Sequence, residues 1–132
     1  MDKKAYFSSF NRTYFELLKM MKEQVQDNKD FKRFYNQNLF VKRTNIKLLI
    51  RTWYEHITYF YKEPIFRGNI QFFLDKDYSS DISKNRDFSN TYSIDTYIQY
   101  FKSVYESLDK KQVDTFVSKV QELTQLSNLY YS

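Results

Sequence analysis

The chain contains no cysteine among its 132 residues. Disulfide bridges, zinc sites with thiolate ligands and cysteine nucleophiles are therefore excluded. The absence of cysteine is typical of proteins that work in a reducing compartment, and we expect a cytoplasmic location.

The sequence also lacks long apolar runs, since stretches such as LFV and LLI are only three residues long. A helix that spans a bilayer needs about 20 mostly apolar residues, so we predict no membrane span. The opening residues, MDKKAYFSSF, hold no apolar segment of the length found in secretory signals. We therefore expect no secretory signal.

Glycine and proline occur once each, as Gly68 and Pro64. One glycine cannot build a phosphate-binding loop, and no nucleophile elbow or dinucleotide-binding motif occurs. Proline disrupts helices, whereas glycine adopts backbone conformations that other residues avoid. We predict that Pro64 ends a long helix and that Gly68 lets the chain turn a corner.

Aromatic residues are abundant, because 13 Phe, 13 Tyr and one Trp make up 20% of the chain. Apolar side chains recur at intervals of three and four, the period of an amphipathic helix. Asp109 followed by Gln112 has the pattern of a capping box. The spacing predicts helices near residues 7–25, 31–41, 46–61, 94–108 and 113–130. We predict an all-α fold, a single compact bundle of about five helices in one domain, residues 1–132.

Two of these helices have stripes that specify which residues face the core. In the second helix the stripe is Phe31, Phe34, Tyr35 and Leu39. In the third helix it is Ile46, Leu49, Ile50, Trp53, Ile57, Phe60 and Tyr61. We expect Thr44 or Asn45 to cap the start of the third helix.

Residues 75–90 form the longest polar stretch and predict a loop. Four of its residues have the spacing of the first ligands of an EF-hand: Asp75, Asp77, Ser79 and Asp81. That loop needs glycine at its sixth position and glutamate at its twelfth, where this chain has Ser80 and Arg86. Aspartate and serine also form turns by bonding their own backbone, which we favour. We predict no metal and no cofactor, and keep a metal-loop protein or hydrolase as a second alternative.

His56 is the only histidine. No second histidine or cysteine exists to share a metal ion with it. Its neighbour Glu55 points about 100° away on a helix with 3.6 residues per turn, so it is poorly placed to orient the imidazole. We predict that the protein is not an enzyme and has no small-molecule substrate.

The basic residues are concentrated in the first half of the chain, although the whole chain has a net charge of only +5. Arg43, Lys47 and Arg51 recur every four residues and would form one ridge if the helix reaches back that far. Lys42 lies beside this ridge, and Lys32 and Arg33 belong to the same basic cluster. Tyr35 and Tyr54 are near enough to stack on bases. Weak, sequence-independent nucleic-acid binding by this set is the alternative function.

Five short helices cannot bury every aromatic side chain of this chain. Several lie off the predicted stripes: Tyr54, Tyr59, Tyr92, Tyr100, Tyr130 and Tyr131. Aromatic residues are enriched at protein–protein interfaces. We therefore favour a non-enzymatic structural or accessory protein that binds a protein partner or forms a homo-oligomer.

The stretch WYEHITYFYKEPIFRGNIQFFLDKDYSSDI, residues 53–82, resembles small uncharacterised proteins of nucleo-cytoplasmic large DNA viruses. The residues that carry the resemblance are Trp53, Tyr54, Glu55, His56, Phe72, Phe73, Leu74, Asp77 and Tyr78. The resemblance implies a viral virion or host-interaction component in the host-cell cytoplasm or the virion. It also implies that His56 pairs with the 72–78 segment at the corner, where a backbone group or Asp77 satisfies the imidazole.

Overall fold

The computed structural model describes residues 2–71 and 94–132. Helices account for most of this part of the chain, which contains no β-strand. The elements are α1 (Lys3–Gln24), α2 (Lys29–Thr44), α3 (Lys47–Trp53), a π-helical turn (Tyr54–Thr58), α4 (Tyr59–Phe66), α5 (Ile94–Tyr105) and α6 (Lys110–Tyr130). Since α3, the π-helical turn and α4 follow one another without a break, they form the third predicted helix. The predicted all-α bundle of about five helices is confirmed.

Side chains that accept from free backbone N–H groups fix the starts of three helices. Asp2 caps α1 through Ala5, with an oxygen–nitrogen distance of 2.9 Å. Asn28 caps α2 in the same way. The capping box before α6 is complete, because Asp109 Oδ1 accepts from Gln112 N at 2.8 Å and Gln112 Oε1 accepts from Asp109 N at 3.0 Å. The sequence predicted this last cap correctly.

The predicted cap of the third helix is wrong. Helix α3 begins after Ile46 without a side-chain cap. Thr44 belongs to the last turn of α2, where its hydroxyl donates to the carbonyl oxygen of Phe40 at 2.9 Å. A threonine in the last turn of a helix can donate to the carbonyl oxygen four residues earlier, and its hydroxyl then does not cap the next helix.

Helix α6 packs against α1 and against the whole length of α3–α4. Three contacts show that it runs antiparallel to α1: Phe7 with Tyr130, Thr13 with Glu122, and Glu16 with Lys119. Helix α2 packs on α1 and α3, and α5 contacts α1. The start of α1 therefore lies beside the end of α6.

Trp53 lies at the centre of the core, fully buried. Its ring contacts Phe10 and Tyr14 of α1 and Phe101 of α5, with centroids 5.9–6.4 Å apart. Its indole nitrogen donates to Thr124 Oγ1 of α6 at 3.2 Å. One side chain thus joins three helices to α3.

The core also contains a buried tyrosine–asparagine pair. The Tyr14 hydroxyl donates to Asn38 Oδ1 at 2.6 Å, and Asn38 Nδ2 donates to the carbonyl oxygen of Phe34 at 2.9 Å. Asn38 is fully buried, whereas Leu39 is only half-buried. The predicted core position of Leu39 is therefore taken by Asn38, which can be buried because both ends of its amide are bonded.

The π-helical turn changes which residues of the third helix face the core. The Tyr59 N–H donates to the Tyr54 carbonyl, five residues back. On a helix with 3.6 residues per turn, side chains four residues apart move gradually around the helix axis. The wider π-helical turn cancels this movement, so residues at four-residue steps stay on one face. Trp53, Ile57, Tyr61 and Ile65 are all buried as a result. The prediction that Phe60 faces the core is wrong, because its side chain is 50% exposed.

Pro64 does not end the third helix, contrary to the prediction. It lies inside α4, which continues to Phe66. The helix ends at a Schellman motif, in which the Asn69 N–H donates to the Pro64 carbonyl and the Gly68 N–H donates to the Ile65 carbonyl. Gly68 has φ of 80°, so the glycine, and not the proline, turns the chain.

Replacing Gly68 with alanine should lower the free energy of unfolding by about 1–2 kcal/mol, because an L side chain is strained at this φ. An added Cβ meets no atom within 4 Å, so the loss would report backbone strain alone. Gly68→Asn should lower the free energy of unfolding less than Gly68→Ala does, since asparagine tolerates the left-handed region better. Urea unfolding followed by circular dichroism measures both variants. An alanine variant as stable as the original chain would contradict this explanation of the helix end.

Candidate functional site

Six aromatic side chains form a continuous series over the surface where α1 begins, α6 ends and the π-helical turn meets α4. Neighbouring ring centroids in the series are 4.5–6.4 Å apart. We call this surface the aromatic strip, and in order its members are Phe7, Tyr130, Tyr131, Tyr54, Tyr59 and Phe60.

Half of the strip is open to solvent. Tyr59 is 66% exposed, Phe60 50% and Tyr131 39%. The other three rings are half-buried and support them, as when Tyr54 stacks on Tyr131 with centroids 4.5 Å apart and planes 26° apart. Rings that hold one another lose little conformational freedom when a partner covers them. The rings of the strip therefore hold one another in a fixed arrangement.

Charged groups surround the end of the strip at α6. Burial is the main cause that raises the pKa of Tyr131 above 10.0, and the charges of Tyr130 and Glu55 raise it further, whereas Arg51 lowers it. Tyr131 thus presents a neutral phenol at physiological pH. On the other side, Lys3 Nζ lies 6.0 Å from the centroid of the Tyr130 ring.

Of the six tyrosines that the sequence placed off the stripes, four lie in the aromatic strip and two, Tyr100 and Tyr92, do not. Tyr100 stacks on Phe34 with centroids 4.4 Å apart and packs against the core, so its predicted position away from the core is wrong. Tyr92 lies outside the described residues. The sequence missed Phe60, because nothing in its spacing signals the π-helical turn.

A second surface feature is a groove between α1 and α2. It consists of two open hollows of about 410 and 480 Å³ that share Lys19 and Tyr35. We call it the basic groove, because its lining includes five cationic side chains: Arg12, Lys19, Lys22, Lys32 and Lys42. Two carboxylates, Glu16 and Glu23, also line it.

Aromatic rings hold two of the groove's ammonium groups in place. Lys22 Nζ lies 4.6 Å from the centroid of Tyr35, and Lys42 Nζ lies 4.8 Å from that of Phe15. A cation over a ring face is attracted by the ring quadrupole. The Glu16 carboxylate is 3.9 Å from Lys119 of α6, which offsets part of its charge. The groove remains cationic, with aromatic surface at its middle.

The structure does not bring together the residues predicted to bind nucleic acid. The ridge of Arg43, Lys47 and Arg51 is broken, because α2 ends at Thr44 and α3 begins at Lys47. Lys42 lies in the basic groove, whereas Arg51 acts on Tyr131 in the aromatic strip. Tyr54 stacks on Tyr131, also in the strip.

The resemblance to viral proteins concerns residues that are only partly described. Trp53 is a core residue, and His56 is buried in the π-helical turn. The remaining residues of the predicted corner and of the acidic loop lie outside the described part of the chain: Phe72, Phe73, Leu74, Asp75, Asp77, Tyr78, Ser79 and Asp81. Within residues 2–71 and 94–132 no group of three or more histidine, aspartate or glutamate side chains is arranged to hold a metal ion.

Comparison of the chain with protein-family models, with curated proteins and with solved structures finds no match in any of the three. None of the helices in the described ranges is both long and apolar enough to cross a membrane. The aromatic strip and the basic groove are therefore interpreted from their own geometry and chemistry.

Proposed function

We propose that the protein is a non-enzymatic binding protein that docks on a protein partner through the aromatic strip. The observation that carries the proposal is the continuous series of rings from Phe7 to Phe60, with its three exposed members. A viral structural or accessory role in the host-cell cytoplasm or the virion agrees with this proposal and stays a prediction.

The size of the strip supports a role as the centre of an interface. An aromatic side chain buries about 150–250 Å², so Tyr59, Phe60 and Tyr131 together expose roughly 300 Å² at their exposed fractions. Apolar patches of about this size on monomers are often functional. A standard interface covers about 800 Å² on each partner, with aromatic anchors at its centre and a polar rim around them.

Charge favours a different protein over a second copy as the partner. The chain carries a net charge of +5, and the charged groups next to the strip are two cations, Lys3 and Arg51, against one carboxylate, Glu55. Two identical basic surfaces repel each other, whereas an acidic rim around an apolar centre is attracted to this one. We propose a partner surface with apolar side chains flanked by aspartate and glutamate.

Replacing Phe60 with serine should weaken partner binding about 30-fold, the effect of losing about 2 kcal/mol at a hot spot. Phe40→Ser is the matched control, because Phe40 is a phenylalanine of similar exposure, 59%, on α2 and outside the strip. Selection of displayed random peptides on the purified protein supplies the ligands. Fluorescence titration of the selected peptides against both variants gives the two dissociation constants.

Selected peptides should be apolar with acidic flanks and should bind Phe40→Ser as they bind the original chain. Equal binding by Phe60→Ser would overturn the proposed site. Sedimentation equilibrium adds a second check, since it should show a monomer. A stable dimer that Phe60→Ser dissociates would assign the strip to a second copy instead.

A further inference from the structure

We propose that the basic groove between α1 and α2 binds single-stranded nucleic acid along its phosphate backbone, without reading the sequence. The site is separate from the aromatic strip, and it differs from the set that the sequence predicted. Of the predicted ridge and its neighbours only Lys42 belongs to the groove, which also takes Lys32 and Tyr35 from the wider basic cluster and adds Arg12, Lys19 and Lys22 of α1. Three observations carry the proposal: the charge of the lining, the length of the groove along α1 and the position of Tyr35.

The charge of the groove suits a polyanion. Its lining has five cationic side chains against two carboxylates, which leaves three net positive charges. Four of the cations are exposed and the fifth, Lys22, is half-buried, so their ammonium and guanidinium groups are accessible to phosphate. Release of the counterions bound to a polyanion is the main source of affinity at such a surface.

The length of the groove along α1 accommodates several phosphates of one strand. Arg12 and Lys22 are ten residues apart on α1, which corresponds to about 15 Å of helix. At about 3.4 Å per phosphate, a stacked strand would place about four phosphates along this length.

Tyr35 distinguishes nucleic acid from other polyanions. Its ring borders both hollows and is only half-buried, with Lys22 Nζ over one face at 4.6 Å from the centroid, so the exposed part of the ring lies at the middle of the groove. Proteins that hold single strands without sequence preference combine a cationic groove with aromatic rings on which bases stack. Polyglutamate has no base to stack on Tyr35, and in a duplex the bases are already stacked on one another.

Fluorescence anisotropy with a short labelled single strand of mixed sequence tests the proposal. The logarithm of the association constant should fall with the logarithm of salt concentration with a slope of about −2, as expected for three neutralised phosphates. Lys19→Gln combined with Lys22→Gln should weaken binding about tenfold or more and reduce the slope by more than one. Tyr35→Leu should weaken binding while leaving the slope unchanged.

Arg43→Gln combined with Lys47→Gln is the control, because it removes the same charge from residues outside the groove. It should change the affinity less than twofold. Equal weakening by both double variants would overturn the proposal in favour of general charge attraction. A duplex or polyglutamate that binds as tightly as the single strand would also overturn it, as would undetectable binding at about 50 mM salt. Phe60→Ser should bind the strand normally, so this test is independent of the proposed protein partner.

Discussion

Trp53→Ala should lower the free energy of unfolding by about 3–5 kcal/mol, the loss typical of a large aromatic side chain removed from a core. The indole is fully buried among Phe10, Tyr14 and Phe101. Its removal leaves a cavity between four helices that cannot all move inward together. Thermal unfolding should show a midpoint lower by roughly 10–20 °C, as expected for a domain of this size.

Two further variants separate packing from hydrogen bonding at this position. Thr124→Val keeps the shape of the core and removes the acceptor of the indole N–H, so it should lose about 1–3 kcal/mol. Tyr59→Ala, in the same continuous helix but 66% exposed, should change stability by less than about 0.5 kcal/mol. If Trp53→Ala lowers the free energy of unfolding no more than Tyr59→Ala does, Trp53 is not at the centre of the core.

Asn38→Leu should lower the free energy of unfolding by about 2–3 kcal/mol, although leucine is apolar and similar in size. The substitution removes the acceptor to which the Tyr14 hydroxyl donates at 2.6 Å. A buried donor that loses its acceptor costs more than the bond itself contributes, because water cannot replace the partner.

The double variant Tyr14→Phe, Asn38→Leu tests this explanation directly. Removing the hydroxyl as well should restore at least about 1 kcal/mol relative to Asn38→Leu, since no orphaned donor remains. Urea unfolding of the original chain, both single variants and the double variant gives the coupling energy. Strictly additive losses would contradict a direct bond between the two side chains.

The sequence is sufficient to predict the helices, because their stripes and one of their caps are local features. The three-and-four spacing of Phe10, Tyr14, Leu17 and Met21 matches their burial. Asp109 and Gln112 are three residues apart and form the capping box on their own. Such features depend on neighbours in the sequence, not on how the helices pack.

The errors arise where tertiary packing decides the outcome. Phe60 lies at helical spacing from Trp53 and Ile57, which predicts that it faces the core. The π-helical turn that precedes Phe60 directs its side chain outward instead. Proline commonly ends a helix, yet α4 accommodates Pro64 and the chain turns only at Gly68. Asn38 has the polarity of a surface residue, but Tyr14 of another helix supplies the hydrogen bond that lets it be buried.

The two candidate surfaces differ in how far the sequence could predict them. The aromatic surplus indicates an exposed aromatic surface, and four members of the strip lie off the predicted stripes. The basic groove was predicted only in part, because the basic cluster of the sequence included Lys32, Lys42 and Tyr35 but not the cations of α1. One signal for the missing cations was present. Lys19, Lys22 and Lys32 flank a short connection between two helices, and a short connection makes such helices antiparallel neighbours. Their cations therefore converge on one groove.

The most direct test of the aromatic strip as a docking surface is fluorine NMR of the chain with 4-fluorophenylalanine placed singly at position 60 or 40. Both fluorine signals should show the solvent isotope shift of an exposed ring in the free protein, because Phe60 and Phe40 are similarly exposed. On addition of the selected peptide, the signal at position 60 should shift and lose solvent contact, while the signal at position 40 stays unchanged. A buried signal at position 60 in the free protein, or a response at position 40 alone, would contradict the account.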